Sequence, residues 1–279
     1  MVSARTGVAA VIGSPVRHSL SPALHNAAFA AVGLDWVYLA FEVAPGGVPD
    51  ALAGMRALGI HGLSVTMPHK ADVARAVDRL DPAAADLGAV NCVTRRDGVL
   101  EGSNTDGPGF VDALVLDHGI DPSGRRCVVL GAGGAARAVV RSLAGAGAAE
   151  VVVVSRRAEP GRVAAALGGA VGRVGTEDAV AGADLVVNAT PVGMGGVDPD
   201  ALPCDVGALH AGQVVVDLIY QPLETAFVLA ARERGATALG GLGMLVHQAA
   251  HQFRHWTGHD APIAAMVAAA RAELATRPA

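Results

Sequence analysis

Residues 127–138 read Cys-Val-Val-Leu-Gly-Ala-Gly-Gly-Ala-Ala-Arg-Ala, and this stretch decides which fold we expect. Its apolar start indicates a buried strand, a glycine-rich turn follows, and the alanine-rich end has helical character. Gly131 suits a tight turn, Gly133 lets a ligand approach the backbone, and Ala136 permits close helix–strand packing. The pattern matches the fingerprint of a dinucleotide-binding βαβ unit, with Ala in its third position. The alternative is a turn with a purely structural role.

The second strand of this unit, Val151–Val154, leads directly into Ser155-Arg156-Arg157. Proteins that bind NAD commonly place Asp or Glu at this point, where the carboxylate holds the ribose hydroxyls. A carboxylate would repel a 2′-phosphate, whereas guanidinium groups attract it and form paired hydrogen bonds with it. The sequence therefore favours NADP over NAD. The alternative is a solvated pair of surface arginines.

The composition bounds the class of protein. The chain has 279 residues, of which 52% are hydrophobic and 17% charged, so one large or two medium domains with a sizeable core are expected. Aromatic residues make up only 3% and the net charge is −5 without a basic block, which argues against nucleic-acid partners. Cys92, Cys127 and Cys204 form no metal-binding spacing and no disulfide framework, so we expect no metal and a reducing, cytoplasmic location. No stretch has the length of a membrane span.

Strand-like and helical segments alternate along most of the chain, which predicts an α/β protein. The apolar strand Val8–Ile12 opens a first α/β series, and the strand at residue 127 opens a second one with a doubly wound parallel sheet. Glycine-rich segments at 107–109 and 240–243 are typical of hinges. The expected domains are residues 1–107, completed by C-terminal helices within 241–279, and residues 108–240.

Two serines stand at the start of the first predicted helix. Pro22 disfavours a helical backbone at Ser21 and itself suits the first turn of a helix. In an extended Ser19-Leu20-Ser21 segment the two hydroxyls point to the same side, where together they can bind a carboxylate. The alternative is that Ser21 is simply the N-cap of the helix.

A lysine stands in the first turn of another predicted helix. Pro68 marks the start of that helix and Lys70 follows two residues later. A cation there opposes the positive end of the helix dipole, and such violations of a local rule are typical of functional sites. The same field disfavours the ammonium form, which would help Lys70 to exchange a proton near neutral pH. The alternative is a solvent-facing lysine.

Further polar residues each allow two interpretations. Asn91 in an apolar run is either a core amide or a group that faces a ligand. Asp106 before a helix is either a cap or a site carboxylate. Thr190 follows a strand at its carboxyl end, where ligands bind in open α/β sheets. The spacing of Tyr220 favours the core, and Gln248 is by default a solvated helix residue.

Eight motifs occur in one order along nearly the whole chain, and the ordered set resembles the shikimate dehydrogenase family. Each motif alone is weak evidence, whereas the ordered set is specific. The motifs are Ser19-Leu20-Ser21-Pro22, Val65-Thr66-Met67-Pro68-His69-Lys70, Gly88-Ala89-Val90-Asn91, Asn104-Thr105-Asp106-Gly107, the loop at Gly131, Asn188-Ala189-Thr190-Pro191, Asp217-Leu218-Ile219-Tyr220 and Gly243-Met244-Leu245-Val246-His247-Gln248.

The resemblance implies an N-terminal α/β substrate domain and a Rossmann-type dinucleotide-binding domain, with the active site in the cleft between them. It implies reversible reduction of 3-dehydroshikimate to shikimate with NADP(H), for chorismate and aromatic amino acid biosynthesis, by a monomer or homodimer. Lys70 and Asp106 would be the catalytic pair, with Lys70 as the proton donor and acceptor. The implied substrate-binding residues are Ser19, Ser21, Thr66, Asn91, Tyr220 and Gln248. The implied cofactor-binding residues are Gly131, Ala132, Gly133, Gly134, Ala135, Ser155, Arg156, Arg157, Thr190, Leu218 and Gly241.

The chain departs from the family pattern at two positions. Ser64 stands where the family commonly has Asn, and Cys92 replaces the usual Thr after Asn91. Serine is shorter and has fewer donors, so we expect a contact near the catalytic lysine to be lost or bridged by water. Relatives that favour quinate with NAD tend to carry Thr in place of Ser21 and an acidic residue in place of Arg156. The alternatives are an NAD-dependent quinate/shikimate dehydrogenase and a catalytically silent dinucleotide-binding regulatory protein.

Overall fold

The computed structural model describes residues 2–195 and 198–277, which divide into two compact units. One unit contains the residues up to Thr105 and those from Val246 onward, and the other contains Asp106–Leu245. Each unit has its own six-stranded sheet and its own hydrophobic core. The domain boundaries expected from the sequence lie two and five residues from these positions.

The first unit is built around a mixed sheet. Its strands are β1 (Gly7–Gly13), β2 (Trp36–Glu42), β3 (Gly62–Val65), β4 (Arg79–Leu80), β5 (Cys92–Arg96) and β6 (Val99–Ser103). Its first four helices are α1 (Ser21–Ala31), α2 (Val48–Ala57), α3 (Lys70–Ala76) and α4 (Pro82–Leu87). The strand order is β2-β1-β3-β5-β6-β4. Strand β1 pairs in parallel with β2 and β3, whereas β5 is antiparallel to β3 and β6.

The second unit contains the predicted parallel sheet. Its strands are β7 (Arg126–Leu130), β8 (Glu150–Val154), β9 (Gly172–Gly175), β10 (Leu185–Asn188), β11 (Val214–Asp217) and β12 (Thr237–Leu239). Its helices include α5 (Asp106–Asp112), α6 (Gly134–Gly145), α7 (Ala158–Ala166) and α8 (Ala226–Glu233). The strand order is β12-β11-β10-β7-β8-β9, and every neighbouring pair is parallel. From β7 the chain first adds strands on one side of the sheet and then, starting with β10, on the other side. The predicted doubly wound, Rossmann-type sheet is therefore confirmed, and its ligand-binding edge lies where the carboxyl ends of β7 and β10 meet.

Two helices complete the described chain, α9 (Leu242–Thr257) and α10 (Ile263–Ala275). In the first unit, α9 packs on the sheet because Gly62 leaves room for an indole: a Cβ at Gly62 would overlap the ring of Trp256. The Trp256 indole N–H also donates to the Val93 carbonyl at 3.1 Å. Across residues 2–195 and 198–277, no helix is both long enough and apolar enough to cross a membrane.

Two local features become clear only in the structure. Residues 107–109, a predicted hinge, form part of the first turn of α5, next to the boundary between the two units. Gly107 lets α5 pack closely on α6, because a Cβ there would overlap the Ser142 hydroxyl and lie 2.8 Å from the Ala138 carbonyl oxygen. The apolar run that contains Asn91 forms a strand only from Cys92 onward, because Gly88 ends α4 in a left-handed conformation with φ of 58°. Asn91 consequently lies just before β5.

Candidate active site

The serine pair lies at the start of α1, in a geometry that differs from the expected one. Leu20 has a helical backbone (φ −83°, ψ −12°), so the segment is not extended. Leu20 is the N-cap of α1, so Ser21 is the first helical residue, and the helix starts one residue earlier than it would with Ser21 as the N-cap. The Ser19 hydroxyl accepts a hydrogen bond from the Ser21 N–H at 3.2 Å. Both serines are half-buried. The structure thus brings the two residues together through this bond.

Lys70 is the first residue of α3, which confirms its predicted place in the first turn. The side chain is half-buried. The Lys70 carbonyl accepts a hydrogen bond from the Val90 N–H at 2.9 Å, and this bond joins the start of α3 to the segment that holds Asn91. Thr66, four residues before Lys70, packs its methyl group against the end of β1, because a Cβ at Gly13 would overlap that methyl group.

Asn91 is a buried amide with several hydrogen bonds, and it is 2% exposed. Its Oδ1 accepts from the Thr105 N–H at 2.8 Å, and its Nδ2 donates to the Thr105 hydroxyl at 3.0 Å. Its backbone carbonyl accepts from Gln252 Nε2 at 3.1 Å, and the same Nε2 donates to Gln248 Oε1 at 2.9 Å. Asn91 and Gln248 are therefore linked through Gln252.

Sequence reasoning missed Thr105 and Gln252 as members of this network. Gln252 stands four residues after Gln248, so both project from the same face of α9, and that spacing was the available signal. Thr105 directly precedes Asp106 in one of the family motifs, which offered a second signal.

Asp106 and Tyr220 belong to the second unit. Asp106 is the first residue of α5 and is 7% exposed, whereas Tyr220 is half-buried after the end of β11. The remaining predicted catalytic and substrate-binding residues belong to the first unit: Lys70, Ser19, Ser21, Thr66, Asn91 and Gln248.

A cavity of about 770 Å³ opens in the second unit, where the loops after β7, β8 and β10 converge. Seven predicted cofactor residues line it: Gly131, Ala132, Gly133, Ser155, Arg156, Arg157 and Thr190. Gly134 and Ala135 stand in the first turn of α6. Leu218 and Gly241 contact each other, because a Cβ at Gly241 would overlap the Leu218 carbonyl. The structure therefore gathers most of the predicted cofactor set around one cavity.

The glycines of the first loop have different roles. Gly131 has φ of 115°, and a Cβ there would lie 2.8 Å from the Ala189 carbonyl oxygen, so both conformation and space require glycine. A Cβ at Gly133 would meet no protein atom within 4 Å. Gly133 is also the N-cap of α6 and provides no side-chain cap for the first-turn N–H groups. The open backbone and these donors fit the pyrophosphate of a dinucleotide.

The loop that carries Thr190 is held by Asn188. Asn188 Oδ1 accepts from the Thr190 N–H at 3.0 Å and from its hydroxyl at 2.7 Å, and Asn188 Nδ2 donates to Asp217 Oδ1 at 2.9 Å. Asp217 also accepts from the Thr225 hydroxyl at 2.7 Å. Burial raises the pKa of Asp217, and its three hydrogen-bond donors oppose that effect. In the sequence, Asn188 and Asp217 stand out only as parts of motifs, and the structure gives them a positioning role.

The arginines lie at the exposed rim of the cavity. The Ser155 hydroxyl donates to the Arg157 carbonyl at 3.1 Å and lies 3.3 Å from the Arg157 N–H, which shapes the turn before α7. Arg156 stands at the centre of this turn. Its guanidinium can therefore reach an anionic group at the rim without any change in the buried sheet.

Comparisons with known proteins agree over most of the chain. Family profiles match residues 11–93 (shikimate dehydrogenase substrate binding domain), residues 241–271 (shikimate 5′-dehydrogenase C-terminal domain) and residues 119–193 (NAD(P)-binding). The shikimate dehydrogenase (NADP⁺) of Moorella thermoacetica is 48% identical over 95% of this chain and 92% of its own.

Solved structures give the same result. The shikimate 5-dehydrogenase of Thermus thermophilus, in complex with NADP(H) and shikimate, is 38% identical over 96% of this chain and 100% of its own, with a TM-score of 0.90. A shikimate dehydrogenase in complex with NADP⁺ is 37% identical over 98% of both chains, with a TM-score of 0.93. The chain belongs to the shikimate dehydrogenase family.

Proposed function

We propose that this protein catalyses the reversible reduction of 3-dehydroshikimate to shikimate with NADPH, in the biosynthesis of chorismate and aromatic amino acids. The observation that carries this proposal is the convergence of three predicted cofactor loops on one cavity, in a chain that belongs to the shikimate dehydrogenase family. When bound, NADPH supplies the hydride that reduces the ketone carbon.

The cofactor is held by the residues of the second unit. The first-turn N–H groups of α6 and the open backbone at Gly133 bind the pyrophosphate, and Arg156 and Arg157 bind the 2′-phosphate. Gly131 sets the turn, and Thr190, Leu218 and Gly241 complete the predicted set with Ala132, Gly134, Ala135 and Ser155.

The catalytic pair of this proposal is Lys70 and Asp106. As hydride reaches the carbon, the ketone oxygen gains negative charge, and the Lys70 ammonium stabilises that charge and donates the proton. Asp106 orients the ammonium group. In the reverse direction Lys70 accepts the hydroxyl proton.

The substrate carboxylate is bound by Ser19 and Ser21, whose hydroxyls stand at the N-terminus of α1, where the helix dipole favours an anion. Thr66, Asn91, Tyr220 and Gln248 bind the ring oxygens.

We further propose that the protein is a cytoplasmic monomer or homodimer without nucleic-acid or membrane partners. Its three cysteines are free, and burial raises the pKa of each thiol to about 12.

The decrease of NADPH absorbance on addition of 3-dehydroshikimate tests the proposal. We expect consumption of one NADPH per ketone reduced, and the reverse reaction with shikimate and NADP⁺. Parallel assays with quinate and with NAD⁺ separate this activity from a quinate dehydrogenase. Binding of NADP⁺ without turnover of any of these acids would instead identify a regulatory protein and would overturn the proposal.

A further inference from the structure

A short chain of buried hydrogen bonds runs through the first unit to Gln248. The Tyr38 hydroxyl lies 2.5 Å from the Ser64 hydroxyl, which lies 2.5 Å from Gln252 Oε1. Tyr38, Ser64 and Gln252 are 1%, 5% and 2% exposed. Ser64, one of the two departures from the family pattern, thus has direct protein partners on both sides of its hydroxyl.

Hydrogen-bond chemistry fixes the direction of every bond in this chain. The backbone carbonyl of Asn91 only accepts, so the NH₂ group of Gln252 must face it and Oε1 must face Ser64. Ser64 has one proton, which it must donate to Oε1, and it can then only accept from Tyr38. Burial raises the pKa of the Tyr38 hydroxyl, which keeps it protonated as the donor that this arrangement requires.

The direction of these hydrogen bonds determines which end of the Gln248 amide points away from Gln252. The second proton of Gln252 Nε2 goes to Gln248 Oε1 at 2.9 Å. The carbonyl end of the Gln248 amide is therefore turned toward Gln252, and its NH₂ end is turned in the opposite direction. A reversed Gln252 would place its Oε1 against the Asn91 carbonyl oxygen, and a reversed Gln248 would place its NH₂ group against that of Gln252.

We propose that Ser64 is a positioning residue that acts through Gln252 to make Gln248 a hydrogen-bond donor toward the substrate. The site then selects a ring oxygen, hydroxyl or keto, that accepts at this position, and discriminates against analogues that carry hydrogen there. The inference rests on the proposed function, because it takes Gln248 to be a substrate-binding residue.

Steady-state kinetics of shikimate oxidation by NADP⁺ test the proposal in four proteins: wild type, Ser64→Ala, Ser64→Thr and Ser103→Ala. Ser103 is a matched control, since it is a buried serine of the same sheet whose hydroxyl donates to the Cys92 carbonyl at 3.4 Å. We expect Ser64→Ala to raise KM for shikimate about ten-fold with a smaller change in kcat, because Gln252 loses the donor that orients it. Ser64→Thr and Ser103→Ala should keep KM near the wild-type value.

Two shikimate analogues, each lacking one of the two ring hydroxyls that do not react, distinguish positioning from general damage. For the analogue that lacks the oxygen bound by Gln248, KM should be the same in wild type and Ser64→Ala, as in a double-mutant cycle. An equal loss with shikimate and both analogues would show a merely structural role and would overturn the proposal.

A measurement without substrate separates this inference from the proposed function. In NMR spectra of the free protein, the Gln252 side-chain NH₂ protons should be protected from solvent exchange in wild type and in Ser64→Thr, and less protected in Ser64→Ala. Equal protection in all three proteins would refute the orientation by Ser64. Failure of wild type to oxidise shikimate, with the protection pattern as expected, would refute the proposed function and leave the orientation standing.

Discussion

Among single residues, Lys70 has the most demanding role in the proposed mechanism, which requires it to hold and release a proton from the first turn of α3. We predict that Lys70→Ala lowers kcat by about 10²-fold or more while KM for shikimate changes far less, since a general acid acts in the transition state. Steady-state kinetics in both directions would show this. Arg75→Ala is the control, because Arg75 lies on the same helix in an exposed ion pair with Asp72. A near-normal kcat in Lys70→Ala would contradict the assignment.

His25 gives a prediction about acid stability. It is 0% exposed, its ring is stacked on that of Tyr38 at 4.4 Å and 12°, and burial lowers its pKa from 6.5 to about 3. Between these two values the unfolded chain binds a proton that the folded protein does not, so stability must fall as pH drops below 6.5. One such group contributes up to about 1.4 kcal/mol per pH unit in this range. Urea unfolding of His25→Phe should therefore show a shallower loss of stability between about pH 6 and about pH 4 than wild type, and equal slopes would contradict the prediction.

At the scale of elements, the turn between β7 and α6 contains two glycines with different roles: the fold requires Gly131, and the proposed cofactor site requires Gly133. We predict that Gly131→Ala destabilises the protein by about 1–3 kcal/mol, because it combines a positive φ with overlap of the Ala189 carbonyl. Gly133→Ala should leave the unfolding temperature near the wild-type value, because a Cβ there meets no protein atom within 4 Å. It should weaken NADP⁺ binding at least ten-fold, because in the proposed binding mode the pyrophosphate occupies this space.

Thermal unfolding and calorimetric titration with NADP⁺ measure these two effects, and each variant serves as the control for the other. Wild-type affinity in Gly133→Ala would show that the pyrophosphate does not approach this backbone. Wild-type stability in Gly131→Ala would show that the turn can adopt another conformation.

The elements also show how far sequence reasoning reaches. The parallel sheet of the second unit was predicted correctly because buried strands followed by helices leave a periodic apolar pattern, and Gly131 leaves a signature in its turn. The helical conformation of residues 107–109 was missed because the reason for Gly107 is the distant Ser142 side chain on α6. The network around Gln252 was missed because Tyr38, Ser64 and Asn91 come from separate segments, and only folding brings them together. Local sequence patterns predict secondary-structure elements, whereas contacts between residues that are distant in sequence can be identified only from the structure.

At the scale of the whole molecule, cofactor preference can be measured as a difference in thermal stability, without any turnover of substrate. A ligand that binds only the folded state stabilises it by RT ln(1 + [L]/Kd), so the tighter of two nicotinamides at equal concentration raises the unfolding temperature more. We predict that NADP⁺ stabilises the wild type more than NAD⁺, because in the proposed binding mode Arg156, at the cavity rim, pairs with the 2′-phosphate.

In Arg156→Asp this order should reverse, since the carboxylate repels the 2′-phosphate and can accept hydrogen bonds from the ribose hydroxyls of NAD⁺. Arg162→Asp is the matched control, because Arg162 lies on α7 in an exposed pair with Glu159 and does not line the cavity. Thermal unfolding with each dinucleotide measures the preference in all three proteins. If Arg156→Asp kept the wild-type order, the 2′-phosphate would have to be recognised by another group, and Arg157, in the same turn, would be the next residue to replace.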